Sequence, residues 1–288
     1  MALNVDEWLI QNKTYFQPPV CNRMMHNDQL KVFYVGGPNT RLDYHIEEGE
    51  ELFYMHRGQM VLKVVTNNKL QNVIIKQGEI FLLPARIPHS PQRQENTIGL
   101  VIERERTSNE QDCVRYFVEN STAPLYEHWF HCTDLGNQLV PIIKNFFSSE
   151  QYKTGKPIAE SLNNSPPYQG DALRKLELPI DIEDWLRSNQ EEIHSTGWKR
   201  LYGTPYETDV IVYGRGQHVG LCEVADAFLW QMRSSASVTT SNAVYSLQRT
   251  NDTLLVPRGT RYTINASDSS FTMVVTMDPS NKPRTKSQ

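Results

Sequence analysis

The stretch from His45 to His89 contains two corners at which apolar, strand-like runs begin or end. At the first corner, His45 and Glu51 stand on either side of a glycine turn, and an apolar run follows. At the second corner, prolines stop an apolar run just before His89. Two imidazoles and one carboxylate on rigid strands, with further positions left open, form the ligand set of non-haem Fe(II) sites. We therefore predict a metal centre made of His45, Glu51 and His89.

Short runs rich in Val, Ile and Leu recur on both sides of these corners at regular intervals. Turn residues separate them, for example Asn67-Asn68 and Gln77-Gly78. The runs cover 60–65, 73–75, 80–83 and 99–104 in the first half, and 210–213, 220–224, 227–232, 254–256 and 271–275 in the second. Short strands at such spacing favour a β-barrel or sandwich over βαβ units. The predicted fold class is therefore all-β, with a few short helices.

The chain also carries an internal repeat. Asn4 is a predicted helix N-cap, and the residues after it, VDEWLIQN at 5–12, recur almost type for type as IEDWLRSN at 182–189. A tract of low periodicity, rich in Pro and Asn, lies between the two halves at 150–179. We predict an N-terminal catalytic domain over 1–150, a linker over 151–180 and a degenerate C-terminal domain over 181–288.

The second copy lacks the predicted ligands. Aligning 228–233 with 52–57, and 255–257 with 82–84, places Leu221, Ala227 and Tyr262 opposite His45, Glu51 and His89 respectively. Of the three substitutes only the tyrosine phenol could ligate a metal, and one phenol cannot hold Fe(II) against water. The expectation is one iron per chain, bound in the N-terminal half.

Charge and composition exclude several classes of partner. The net charge is −4, and the basic residues form no cluster, so nucleic acid is not an expected partner. The apolar runs are far shorter than a membrane helix needs, and acidic residues stand near the N-terminus where a signal peptide would be basic. The four cysteines lie far apart without a C-x-x-C pair, which favours reduced thiols in a cytosolic protein.

Two arginines have the spacing of substrate-binding residues. Arg41 and His45 share one face of a predicted strand over 41–45, and Arg93 lies four residues beyond His89. A buried arginine near a metal needs an anionic partner, and a guanidinium can bind a carboxylate through two parallel hydrogen bonds. The alternative is a surface arginine paired with Asp43 or Glu95, which is the preferred interpretation of Arg86.

Other charged residues have sequence patterns that fit a purely structural role. Glu47-Glu48 is interpreted as a solvated acidic turn, although Glu47 shares strand parity with His45. Glu103 lies in an alternating E-R-E-R run that resembles a solvated strand. His128 and His131 have a spacing that a helix could turn into a metal pair, but the aromatics between them favour packing.

The two corners resemble the paired motifs of the cupin barrel, a double-stranded β-helix or jelly roll. In the first motif a glutamate precedes a glycine with the spacing of Glu51 and Gly58. The second motif contains a glycine, a proline and a histidine with the spacing of Gly78, Pro84 and His89. Glu47 stands where many cupins have a histidine, Arg86 replaces the usual glycine and Arg93 the usual asparagine. The resemblance implies two cupin barrels in one chain, a bicupin.

These departures, in RLDYHIEEGEE at 41–51 and LPARIPHSPQR at 83–93, resemble one cupin family in particular. They are similar to the 3-hydroxyanthranilate 3,4-dioxygenases of the two-domain eukaryotic type, over nearly the full chain. That resemblance implies an Fe(II) ring-cleaving dioxygenase. It would convert 3-hydroxyanthranilate and O2 to 2-amino-3-carboxymuconate semialdehyde, in tryptophan catabolism through the kynurenine pathway toward quinolinate and NAD.

The resemblance also implies residue roles. His45, Glu51 and His89 would bind iron. Arg41 and Arg93 would contact the substrate carboxylate, and Glu103 would lie by its amine and hydroxyl, so that these three residues and Glu51 line the substrate. The four-cysteine second iron site of some bacterial members is absent from the sequence, which again gives one iron per chain.

Two other function classes remain open at this point. Histidine and glutamate ligands also suit Zn(II), so a zinc sugar isomerase of the cupin type is one alternative. A non-catalytic, ligand-binding cupin is the other. If the two halves pack as a pseudo-symmetric pair within one chain, the chain is expected to be a monomer.

Overall fold

The computed structural model describes residues 1–18, 21–171, 174–203 and 206–282. Strands dominate, and the chain forms two compact units. We call the unit made of Val35–Val101 and Glu105–Ile180 the ligand-bearing barrel. The unit made of Met1–Tyr34, Ile102–Arg104 and Asp181–Gln288 is called the C-terminal barrel.

The regular elements are short, as the sequence predicts. The strands of the first half are β1 (Leu3–Asn4), β2 (Asn22–Asn27), β3 (Leu30–Gly36), β4 (Tyr44–Ile46), β5 (Glu51–Arg57), β6 (Met60–Thr66), β7 (Lys69–Ile75), β8 (Glu79–Leu83), β9 (His89–Arg93), β10 (Ile98–Arg104), β11 (Asp112–Phe117) and β12 (Pro124–Phe130). Those of the second half are β13 (Ile180–Asp181), β14 (Trp198–Arg200), β15 (Thr208–Tyr213), β16 (Gly216–Gly220), β17 (Ala227–Arg233), β18 (Ala236–Thr240), β19 (Val244–Leu247), β20 (Asp252–Val256), β21 (Tyr262–Ala266) and β22 (Phe271–Met277).

The described helices are α1 (Val5–Gln11), α2 (Leu135–Ser148), α3 (Glu150–Thr154) and α4 (Ile182–Thr196), with 3-10 turns at Lys13–Phe16, Ala159–Ser161 and Pro279–Asn281. The repeated helix signal is confirmed, because Asn4 caps α1 and Asp181 caps α4 through side-chain hydrogen bonds. None of the helices in the described parts of the chain is long and apolar enough to cross a membrane.

The two barrels have the same strand order. Most strands of the ligand-bearing barrel belong to two sheets, one with the order β4–β9–β6–β7 and one with the order β8–β5–β10–β3, of which β3 begins before the residues that define this unit. In the C-terminal barrel the corresponding neighbours are β16–β21–β18–β19 and β20–β17–β22–β15. This duplicated order confirms the prediction of two cupin barrels in one chain.

The strand register tests the predicted equivalence of the two copies. Glu51 pairs with Leu83 and Ala227 pairs with Val256, so Ala227 takes the place of Glu51 as predicted. His45 pairs with His89, whereas Tyr262 pairs with Gly220. The assignment of Leu221 to the His45 position is therefore wrong by one residue. The cause is that six residues separate Gly220 from Ala227, one more than separate His45 from Glu51, so a gap-free alignment slips.

The interior of the C-terminal barrel is filled by its own side chains. A Cβ atom added to Gly220 would overlap the ring of Tyr262. Tyr262 belongs to a buried apolar cluster that includes Leu229, Leu254 and Ile264. The phenol thus occupies space that a side chain at position 220 would need.

The N-terminal residues do not group with the barrel that follows them in sequence. β1 pairs with β20, and the backbone N–H of Val5 donates to Asn251 O at 2.9 Å. The Gln29 side chain donates to Met277 O at 2.9 Å. The predicted catalytic domain over 1–150 is therefore corrected, because its first 34 residues group with the C-terminal barrel. Pairings between residues so distant in sequence leave no local pattern.

The tract predicted as a linker over 151–180 also differs from the expectation. It groups with the ligand-bearing barrel and contains most of α3 and a 3-10 turn. Gln151 and Tyr168 are buried, and Asp171 N–H donates to Arg86 O at 3.0 Å. Residues 172–173 of this predicted linker lie outside the described residues. The described part is held to the barrel because Tyr168 packs against Ile46 and Trp129 and the backbone N–H of Asn163 donates to Glu127.

Candidate metal centre

The three predicted ligands meet at one end of the ligand-bearing barrel. His45 on β4 and His89 on β9 are directly opposite each other in the sheet. Glu51 is the first residue of β5, after the glycine turn. All three side chains are buried, and one donor atom of each lies within 4.8 Å of the others. The strand corners therefore bring together the residues that the sequence predicts.

The atoms that face one another are suited to a cation. His45 Nδ1 lies 3.8 Å, and His89 Nε2 2.7 Å, from Glu51 Oε1. That carboxylate oxygen is buried and has no hydrogen-bond partner among the described residues. A buried, unsatisfied carboxylate oxygen is costly unless a cation pairs with it. The donor set therefore fits a divalent metal held by two imidazoles and one carboxylate.

The outward ring nitrogens of both histidines have partners, which fixes their orientation. His45 Nε2 lies 2.8 Å from Asp112 Oδ2, and His89 Nδ1 lies 3.0 Å from Ile87 O. Metal-bound imidazoles usually donate their second N–H to such a carboxylate or carbonyl. These partners leave Nδ1 of His45 and Nε2 of His89 for the metal.

Asp112 is a candidate site residue that the sequence patterns did not reveal. It is completely buried on β11, and Arg106 binds it at 3.1 Å (Nε to Oδ1) and 2.9 Å (Nη2 to Oδ2). Burial would raise the pKa of Asp112, but the charge of Arg106 and the hydrogen bond to His45 lower it to about 2. The carboxylate is thus ionised and can orient the imidazole. The available signal is that Asp112 shares strand parity with the buried Val114 and Tyr116.

Nearby charges favour the protonated form of His45 and the ionised form of Glu51. Burial would lower the pKa of His45, but the hydrogen bond to Asp112 and the nearby carboxylate of Glu51 raise it to about 9. Burial would raise the pKa of Glu51, but the charge of His89 and the close side chains of His45 and Glu47 hold that pKa well below its usual range. A proton or a metal ion would satisfy the same negative potential.

Glu47 does not lie in a solvated turn, so that interpretation is wrong. It is buried, and Arg106 Nη2 lies 2.8 Å from its Oε2. Carboxylate oxygens of Glu47, Glu51 and Glu103 lie within 4.8 Å of one another. The solvated-strand alternative for Glu103 is likewise excluded, because Glu103 is only 7% exposed. Strand parity was the correct signal for both residues.

Arg93 is buried on the same strand face as His89, as predicted. Its Nε has no hydrogen-bond partner among the described residues. Burial, followed by the charge of Arg41, lowers the pKa of Arg93 to about 10, while Glu51 opposes the shift. A buried guanidinium is stabilised by an anion, and the nearby charge of Glu51 leaves Nε without a hydrogen-bond acceptor among the described residues.

Arg41 is not on a strand, which corrects the predicted strand over 41–45; β4 begins only at Tyr44. Its guanidinium binds Asp43, with Nε 3.2 Å from Oδ1 and a second, shorter contact from Nη2 to Oδ2. The pairing with Asp43 was considered the surface alternative. However, Asp43 is buried, and Arg41 lies close enough to Arg93 and Glu51 for their charges to interact.

The remaining candidates are Arg86, His128 and His131, which have partners outside the predicted metal centre. Arg86 binds Glu48 at 2.9 Å and stacks over the ring of Tyr168, so its predicted role outside the site is retained with a different partner. His128 is on strand β12 and His131 directly follows that strand, so no helix brings the two together. His131 Nδ1 lies 2.8 Å from Glu110 O.

The sequence is similar to characterised proteins over almost its whole length. The model of the 3-hydroxyanthranilic acid dioxygenase family matches residues 1–147. The 3-hydroxyanthranilate 3,4-dioxygenase of Homo sapiens is 50% identical over 280 residues, covering 97% of both chains. The enzyme of the same name from Nematostella vectensis is 43% identical over 273 residues, covering 94% of this chain and 97% of the relative.

Solved structures are similar in fold. The salicylate 1,2-dioxygenase of Pseudaminobacter salicylatoxidans superposes with a TM-score of 0.58 at 11% identity, covering 96% of this chain and 84% of that one. A structure of salicylate 1,2-dioxygenase with gentisate gives a TM-score of 0.56 at 10% identity, covering 96% of this chain and 80% of that one. At this identity the likeness extends to the fold and not to the substrate.

Proposed function

Because the chain belongs to the 3-hydroxyanthranilic acid dioxygenase family, we propose that it holds Fe(II) at His45, Glu51 and His89 and there cleaves the ring of 3-hydroxyanthranilate with O2. The product is 2-amino-3-carboxymuconate semialdehyde, which leads toward quinolinate and NAD. The relatives give no support to the alternatives of a zinc sugar isomerase or a non-catalytic cupin. Two imidazoles and one carboxylate suit Fe(II) and leave coordination positions open for substrate and O2.

The observation that carries the substrate assignment is the buried Arg93, whose Nε lacks a hydrogen-bond partner among the described residues. The substrate carries a carboxylate on its ring. A carboxylate matches the planar fork of a guanidinium through two parallel hydrogen bonds. We assign Arg93 as the principal contact of the substrate carboxylate. Arg41 is assigned as the second contact, because it lies close enough to Arg93 for the two charges to interact. The Arg41 side chain is already held by Asp43.

The protein residues then have distinct tasks. Arg93 and Arg41 bind the carboxylate and orient the ring, so that its amine and hydroxyl point toward the ligand atoms. Glu103, near Glu47 and Glu51, is assigned to accept the hydroxyl proton. The buried surroundings of these residues exclude water. Bound Fe(II) would supply the redox chemistry that links the electron-rich ring to O2.

The test is oxygen uptake by anaerobically prepared protein loaded with Fe(II), with 3-hydroxyanthranilate as the substrate. We expect one O2 consumed per substrate and loss of the aromatic absorbance. Protein loaded with Zn(II) is the matched control and is expected to be inactive, because Zn(II) has no redox chemistry. Turnover with Zn(II), or no turnover with Fe(II), would contradict the proposal.

We also propose that the C-terminal barrel is a scaffold without a metal and that the chain is a monomer. Two barrels in one chain provide internally what a one-barrel relative would obtain by dimerisation. Sedimentation at low micromolar concentration is expected to give a species of about 33 kDa. A tight dimer in that range would contradict the monomer.

A cytosolic location is proposed from the cysteines. All four are free thiols in the structure, and three of them are buried. Unpaired, buried thiols are typical of proteins that work in reducing compartments. Cell fractionation is the check, and recovery of the protein in a secretory compartment would contradict the proposal.

A further inference from the structure

Arg41 lies on an irregular stretch between two strands. β3 ends at Gly36 and β4 begins at Tyr44. Asn39 exchanges two backbone hydrogen bonds with Arg93, each 2.9 Å from N to O. Residues 40–43 belong to no strand, so no backbone ladder continues from Asn39 to hold Arg41. Some other group must fix its position.

The side chain of Gln92 provides that fixation. Its Oε1 accepts a hydrogen bond from the backbone N–H of Arg41 at 3.3 Å. Its Nε2 donates to Arg41 O at 2.9 Å, and lies 3.2 Å from Ser90 O and 2.9 Å from Ser90 Oγ. One amide thus binds both backbone polar groups of Arg41, as a neighbouring strand would. Neither a carboxylate nor an apolar side chain offers this donor and acceptor pair.

The position of Arg41 matters because it faces a like charge. Arg41 and Arg93 repel each other, and Asp43 and Glu51 offset part of that repulsion. Asp43 holds the guanidinium of Arg41, but it lies only two residues away along the same irregular stretch. The Asp43 contact therefore moves with Arg41 if the stretch shifts. Gln92 is on β9 next to Arg93, so it ties Arg41 to the strand that carries the other arginine.

We propose that Gln92 is a positioning residue that fixes the backbone of Arg41 beside Arg93, so that the two guanidinium groups form one preorganised clamp for the substrate carboxylate. The inference rests on the proposed function. It assigns to Gln92 no contact with the substrate or the metal. Its effect is expected in the binding of the carboxylate and not in the chemical step.

The principal experiment is Gln92→Met, which keeps the side-chain length and removes the amide. KM for 3-hydroxyanthranilate is expected to rise about tenfold with kcat changed by less than about threefold, as for lost hydrogen bonds that orient a binding group. Metal content and Tm should stay at the wild-type values. Gln94→Met is the matched control, since the Gln94 side chain is exposed just beyond the same strand.

Two further measurements distinguish positioning from a general disturbance. The inhibition constant of 2-aminophenol, which has the amine and hydroxyl of the substrate but no carboxylate, should be unchanged in Gln92→Met. In an Arg41→Ala background, Gln92→Met should raise KM no further, because the glutamine acts through Arg41. Equal weakening of substrate and 2-aminophenol, or full additivity with Arg41→Ala, would overturn the proposal even if the variant folds poorly.

The outcomes also separate this inference from the function on which it rests. Wild-type protein that consumes no O2 with 3-hydroxyanthranilate would refute the proposed function. Wild-type turnover together with a normal KM in Gln92→Met would refute only the role of Gln92.

Discussion

The ligand-bearing barrel and the C-terminal barrel share a strand order and differ in what occupies their interiors. Where one has His45 opposite His89, the other has Gly220 opposite Tyr262. The first barrel buries imidazoles and carboxylates, whereas the second packs Tyr262 among aliphatic side chains. The backbone ladders are formed in both. The fold therefore does not depend on the metal ligands, which are additions to a scaffold that can equally be filled with apolar groups.

The two barrels also differ in the free-energy cost of burying polar side chains. Buried polar groups destabilise a protein unless each one has a partner. In the ligand-bearing barrel the outward nitrogens of His45 and His89 and the carboxylate of Asp112 all have partners. In contrast, Glu51 Oε1 and Arg93 Nε lack a hydrogen bond to any described residue, and these are atoms proposed to meet the metal and the substrate.

The strongest test of this comparison removes a ligand from the first barrel. His45→Ala, or His89→Ala, is expected to abolish essentially all Fe(II) binding, because two remaining donors cannot hold the ion against water. Metal analysis after anaerobic loading should fall from about one iron per chain to none. His218→Ala, in the C-terminal barrel, is the control and should keep the wild-type content. Retention of about half the iron in His45→Ala would reveal a second site.

The next effect concerns the substrate. Arg93→Lys keeps a basic group but loses the two-pronged geometry, and burial would lower the pKa of the new amine. Substrate binding is expected to weaken by about 1.5–3 kcal/mol, with the metal content unchanged. Steady-state KM measures the effect. The exposed Arg57→Lys serves as the control, and a normal KM in Arg93→Lys would show that Arg93 does not bind the carboxylate.

Asp112 tests whether the ligand orientation matters. Asp112→Asn removes the charge that holds His45 and the ion pair with Arg106, and metal affinity is expected to fall about 10–100-fold. Competition with a chelator under anaerobic conditions gives the affinity. Asp209→Asn breaks an exposed arginine pair in the C-terminal barrel and should leave the affinity unchanged. An unaltered affinity in Asp112→Asn would mean that strand geometry alone orients His45.

The smallest effect on the reaction is expected from the second barrel. Gly220→Ala forces a methyl group against Tyr262 and should lower the free energy of unfolding by about 1–3 kcal/mol. Gly203→Ala, which meets no atom within 4 Å, is the control. Both variants should keep the iron content and kcat of the wild type. A loss of iron in Gly220→Ala at a temperature where the protein is folded would show that the C-terminal barrel is more than a scaffold.

Local patterns were sufficient for most of the strands and for the meeting of His45, Glu51 and His89. The glycine turn before Glu51 and the prolines before His89 determine where the strands end, and these are properties of neighbouring residues. The period of two residues also placed Arg93 on the face of His89, since β9 is regular. The same reasoning failed for Arg41, because residues 40–43 form no strand.

Residues whose partners are distant in sequence were not predictable in this way. Asp112 is 67 positions away from His45, and nothing beside it indicates that pairing. Glu47 was taken for a solvated turn because Glu48 follows it, although Arg106 is what makes its burial possible. The one-residue slip at Leu221 has the same origin, since only strand pairing reveals the extra loop residue.

The grouping of the first 34 residues with the C-terminal barrel has a consequence for synthesis on the ribosome. Residues 35–180 emerge early, and most of the ligand-bearing barrel can fold as they appear. β1 must wait for β20, and Gln29 for Met277, until nearly the whole chain has been made. Val5, which is completely buried in the finished structure and donates its backbone N–H to Asn251 O, remains without that partner in the meantime. Pairing of β1 with β20 is therefore expected among the last steps of folding.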